Sequence, residues 1–112
     1  MKSDGAQIRR YCHCLDCASA IIAVLLKGET VRAYNVSNPD SIITIRQMAE
    51  LLAKAAGVAL RVEAPTESER KAFNPMSNSS LDSESLLKLG WRGIFVAERG
   101  FSCAVEILRE IT

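Results

Sequence analysis

The sequence predicts a small α/β domain with short, mostly parallel strands and about four helices. Three observations carry that expectation. Short runs with strand-like alternation take turns with stretches of helical periodicity. Glycines and turn residues fall mostly between these runs: Gly28, Gly57 and Gly90 each stand at the end of one. The resulting order, strand–helix–strand–helix–strand–helix–helix, is the one that parallel crossover connections produce.

The first extended stretch runs from Gln7 to Cys14. It places Ile8, Arg10, Cys12 and Cys14 on one side and Arg9, Tyr11 and His13 on the other. Asp16 is a good N-cap type and is expected to open a helix that closes at Gly28. Ala18, Ala20, Ile21, Ile22, Val24, Leu25 and Leu26 make that helix apolar almost all round, so it should be covered on more than one side. Residues 31–37, "VRAYNVS", read as a short buried strand, and "NPDS" as a turn. Thr44 and Gln47 then form a T-x-x-Q capping box, and Gly57 ends the helix that follows. Residues 58–64, "VALRVEA", alternate as a half-buried strand does. An irregular stretch from 65 to 79 leads to a short helix at about 82–89, and a last helix spans roughly 97–111.

Length and composition set the class. At 112 residues there is material for one core, and 48% apolar with 24% charged residues is ordinary for a globular protein. A net charge of +1 gives no electrostatic reason to expect nucleic-acid binding. The longest apolar run, Ala20 to Leu26, is far shorter than the ~20 residues that span a bilayer, so no membrane partner is expected. The charged N-terminus lacks the apolar stretch of a secretory signal, and the expectation is a cytoplasmic protein with reduced thiols.

"YCHCLDC" crowds Cys12, His13, Cys14 and Cys17 into six positions. A zinc site usually closes a tetrahedron from two spaced pairs, and no second pair exists; Cys103 stands alone. Buried cysteine behaves as a small hydrophobe, so packing is the favoured reading and no metal site is expected. Cys17 beside a helix N-terminus is conceivable for redox work, with Asp16 opposing it. His13 has no nucleophile or carboxylate at a diagnostic spacing, and no catalytic residue is assigned. Arg9 and Arg10 are either a solvated pair or a guanidinium supply for a phosphate.

Four segments, in order, resemble one family. "RRYCHCLDCASAI" is similar to the Arg-x-Tyr-x-His-Val-x-Asp segment of the NAD-dependent epimerase/dehydratases, the extended short-chain dehydrogenases acting on nucleotide sugars, with Cys14 at the usual valine. "AYNVSNPDSIITIRQMAELLAKAAG", "SLDSESLLKLGW" and "VAERGFSCAVEIL" resemble the family's following strand and helix, its Leu-Gly-Trp element and its closing helix. The resemblance implies the C-terminal, substrate-binding part of such an enzyme. It implies that residues 1–41 pack on a Rossmann sheet and that 42–112 build the substrate subdomain. It implies Arg9 as the diphosphate-holding arginine, with Arg70 in the loop where members place a second one, although "SERKAFNP" departs from their pattern.

Two signatures of the family are missing. Its Gly-rich NAD turn is absent, since Gly5, Gly28, Gly57, Gly90, Gly93 and Gly100 form no G-x-G. Its catalytic Tyr-x-x-x-Lys is absent too: Leu15 follows Tyr11, and Asn38 follows Tyr34, at that spacing. The expectation is therefore a chain that holds no cofactor itself (NAD belongs to the full-length family), is inactive alone and binds a nucleotide-sugar diphosphate weakly if at all. The bare side of the 16–28 helix and the 31–37 edge further predict a homodimer through Ile21, Ile22, Leu25 or that strand. A non-catalytic interaction module, or the partner of a separately encoded Rossmann half, is the alternative.

Overall fold

A computed structural model describes residues 1–112. The chain runs β1 (Ile8–Arg10), α1 (Cys14–Lys27), β2 (Ile42–Thr44), α2 (Ile45–Ala56), α3 (Glu67–Lys71), α4 (Glu84–Lys88), α5 (Ala97–Ile111). The class is α/β, as the pattern predicts, but the details differ. There are five helices, and the strands pair antiparallel, with Ile8 opposite Thr44 and Arg10 opposite Ile42. Gln7 and Gly5 extend the pairing by accepting from the Ile45 and Arg46 amides, and a bridge from Ile8 to Asn78 flanks β1 on its other side.

Residues 31–37 and 58–64 form no strand. A strand is made by its neighbour, and between Ala33 and Ser37 no peptide N–H or C=O finds a partner. In the 58–64 run Val58 donates back to the Ala53 carbonyl, and beyond that it meets Met1, whose ammonium donates to the Arg61 carbonyl and whose carbonyl accepts from Glu63. Val31 enters the first of these segments at a φ of 63°, a left-handed conformation that is strained for a β-branched residue.

The helix starts show which local signals hold. Both arms of the Thr44–Gln47 capping box are made, and Gly57 closes α2 in the left-handed conformation. A second capping box, Thr66–Glu69, opens α3 inside the stretch read as irregular. For α1 the expected cap is corrected. His13, not Asp16, caps the helix, its Nδ1 accepting from the Leu15 amide at 3.2 Å. Asp16 lies in the first turn, 2% exposed, and accepts from the Ile94 and Phe95 amides at 2.9 Å each. The 94–95 loop crosses the helix start, and its two part-buried donors find their acceptor there.

The core is small. Ala20, Leu86 and Trp91 are its centre, with Ala23, Val24, Tyr34 and Val36 packed around it, and Trp91 Nε1 donates to Ser19 Oγ at 2.9 Å. Asn38 Nδ2 donates to the Phe95 carbonyl, tying the 38–41 turn to the same loop. The other long contact is α2 against α5, where Arg109 donates to the Ala56 carbonyl at the C-terminus of α2. Within this chain only one side of α1 is covered: Leu25 and Leu26 are 81% and 75% exposed. No helix is long and apolar enough to cross a membrane.

Candidate functional site

Two hollows carry the residues that the sequence singles out. The larger is a cleft of about 740 Å³ between the N-terminal segment, the start of α2 and α3, lined by Gln7, Ile45, Val62, Arg70, Phe73 and Asn74 among others. Its position follows from local structure. The β1–β2 pairing fixes Gln7 beside Ile45, and the Thr66 capping box sets the direction of α3, hence of Arg70.

Arg70 lines this cleft, its backbone bonded within the α3 turn and its guanidinium making no hydrogen bond or ion pair. Its neighbour Glu69 is already engaged. Lys2 Nζ at 2.8 Å, with the Thr66 amide and hydroxyl, holds the Glu69 carboxyl down at about 2. Arg9 stands at the rim rather than in the wall. Its Nη2 donates to Gln7 Oε1 and its Nη1 to the Ile8 carbonyl, both at 2.8 Å. Gln7 in turn donates from Nε2 to the Asn74 carbonyl at 2.6 Å, so one side chain couples Arg9 to the cleft. Asp4 and Glu63 also line it, so an anion would be drawn to the end of the cleft with the arginines. Sequence reading missed Gln7 and Asn74; nothing local marks them, because their link spans 67 residues.

The smaller hollow, about 220 Å³, lies between the β1–α1 corner and α5, lined by Tyr11, His13, Cys14, Phe95 and Phe101. His13 is used structurally: besides capping α1 it stacks on Phe95, centroids 4.2 Å apart and 20° between planes. Tyr11 meets Phe101 edge-on at 5.3 Å, and burial raises its hydroxyl pKa against the lowering effect of Arg9. The four cysteines are unpaired. Burial, with Cys17 and Asp16 nearby, pushes the Cys12 thiol up to about 11, whereas Cys14 is exposed at the helix start, 4.0 Å from His13 Nδ1. The thiolate is the nucleophile, so at pH 8 alkylation followed by mass spectrometry should label Cys14 at least about tenfold faster than Cys12. Equal rates at the two would contradict the burial assigned to Cys12.

Neither strand-to-helix junction suits a dinucleotide. "RYCHC" and "IITIR" contain no glycine, the Asp16 carboxylate sits in the first turn of α1, and the capping box occupies the start of α2.

No family model matches the chain. A trifunctional UDP-glucose 4,6-dehydratase/UDP-4-keto-6-deoxy-D-glucose 3,5-epimerase/UDP-4-keto-L-rhamnose-reductase of Arabidopsis thaliana is 33% identical over 92 residues, which are 80% of this chain and 13% of that protein. Among solved structures, a dTDP-glucose 4,6-dehydratase of Bacillus anthracis in complex with NAD superposes with a TM-score of 0.80 at 22% identity. That match covers 97% of this chain and 33% of the dehydratase. A UDP-glucose 4-epimerase of Thermotoga maritima with UDP-glucose gives 0.80 at 23%, covering 99% and 34%. The chain thus spans about a third of these structures and a smaller share of the plant protein. By sequence and by fold it corresponds to the C-terminal part of an NAD-dependent epimerase/dehydratase.

Proposed function

We propose that these 112 residues are the substrate-binding portion of a nucleotide-sugar epimerase or dehydratase, holding the diphosphate and performing no chemistry by themselves. The observation that carries this reading is the free Arg70 guanidinium in the cleft, with Arg9 held outside its wall by Gln7, itself a lining residue. A guanidinium in the cleft with a second beside it suits a diphosphate, whose oxygens accept the paired donors that arginine offers. The similar epimerase of Thermotoga maritima was solved with UDP-glucose, a ligand of this chemistry. The similar dehydratase was solved with NAD, but the glycine-free junctions here do not fit that group, and no step is derived through it. Tyr11 and Tyr34 each lack a lysine four residues on, so the hydride-transfer machinery of the family is not carried by these residues.

Binding should be weak. Two charge-assisted contacts at about 1.5–3 kcal/mol each, without sugar and base pockets, leave affinity near millimolar. Calorimetry with UDP should give a dissociation constant of that order, about tenfold or more weaker for Arg9→Ala and for Arg70→Ala, and weaker for UMP than for UDP. Binding indifferent to both arginines would contradict the assignment.

A further inference from the structure

Within this chain Arg9 has no counter-ion. No carboxylate pairs with it, and its acceptors are all neutral: Gln7 Oε1 and the Ile8 carbonyl at 2.8 Å, and the Met76 carbonyl at 3.4 Å. A guanidinium has more N–H donors than these acceptors use, so part of its fork stays free for an anion.

Gln7 supplies the one side chain among those acceptors, and its orientation is settled. The Asn74 carbonyl can only accept and the Arg9 guanidinium can only donate, so Nε2 must face the first and Oε1 the second. The backbone beneath it is pinned as well. The Gln7 carbonyl accepts from the Ile45 amide at 3.0 Å, and the Gly5 carbonyl from the Arg46 amide at 2.9 Å. Gly5 permits that approach: its φ of 68° is left-handed, and a Cβ there would stand 2.7 Å from the Arg46 nitrogen.

We infer that Gln7 is a positioning residue, a neutral amide that holds Arg9 beside the cleft without cancelling its charge. The inference rests on the diphosphate reading of the cleft. A carboxylate at position 7 would grip the guanidinium more tightly, but it would neutralise the charge that attracts a phosphate and turn an acceptor toward the Asn74 carbonyl. An apolar side chain would leave Arg9 and the Asn74 wall without their common tie. A neutral group that accepts at one end and donates at the other meets both needs, as the supporting hydrogen bonds around a binding group must.

NMR titration with UDP, on variants shown by thermal unfolding to be folded, separates positioning from a structural role. Gln7→Met keeps the length of the side chain and loses both hydrogen bonds, so its dissociation constant should rise about fivefold or more, the size of one hydrogen bond. Gln7→Glu should lose about tenfold or more, because it also cancels the Arg9 charge. With Arg9→Ala already present, Gln7→Met should cost nothing further, since the residue acts through that guanidinium. Losses that simply add would assign Gln7 to the structure of the cleft alone and overturn the inference. Full affinity in either Gln7 variant, while Arg9→Ala binds weakly, would overturn it too and leave the diphosphate reading standing. Binding indifferent to Arg9→Ala would overturn that reading and this inference together.

Discussion

Replacing Asp16 by alanine should cost about 3–5 kcal/mol, a large share of the 5–15 kcal/mol that holds a typical domain together. The carboxylate is 2% exposed and satisfies two backbone donors, Ile94 and Phe95, at 2.9 Å each. Alanine leaves both part-buried N–H groups without this acceptor, at about 1–3 kcal/mol apiece, and removes a negative charge from the first turn of α1, where the helix dipole favours it. The damage spreads, because the same loop holds Asn38 through the Phe95 carbonyl. Asp16→Asn keeps one acceptor oxygen but turns an NH2 toward the second amide, so it should recover less than half of the loss. Urea denaturation at fixed protein concentration measures both. A midpoint for Asp16→Ala within error of the unsubstituted chain would mean that the 94–95 loop is not held by this carboxylate.

Leu86→Ala should be of similar size, about 3–5 kcal/mol, in the upper part of the range for buried leucine. Leu86 is fully buried between Ala20 and Trp91, and it is the one large apolar side chain with no exposure at all. Few other buried apolar groups exist to close the space left behind, so transfer and cavity costs add. A loss below about 1 kcal/mol in the same denaturation experiment would show that the cluster can collapse around the gap.

What could be read from the residues depended on how local each cause was. The start and end of α2 were legible, because a capping box and a left-handed glycine lie within a few residues of the positions they govern. The second capping box, Thr66–Glu69, was equally local, but the irregular composition around it hid a five-residue helix. Asp16 was misread because a carboxylate before an apolar run looks like a cap. Its actual partners lie 78 and 79 residues away. The 31–37 and 58–64 runs have strand composition, yet strand pairing is a property of two segments, and only 8–10 and 42–44 find each other here. Arg9 and Arg70 came from a family resemblance. The link from Arg9 through Gln7 to the Asn74 carbonyl at the cleft is tertiary and had no sequence signal.

The most direct test of the central claim, that the cleft beside Arg9 and Arg70 receives a nucleotide diphosphate, is a titration of isotope-labelled protein with UDP followed by NMR. Shifts should saturate in the millimolar range and concentrate on the Arg9 and Arg70 guanidiniums, the Gln7 side-chain amide and the backbone near Asn74. If those signals stay still while others move, or if nothing moves at several millimolar, the site is wrongly placed.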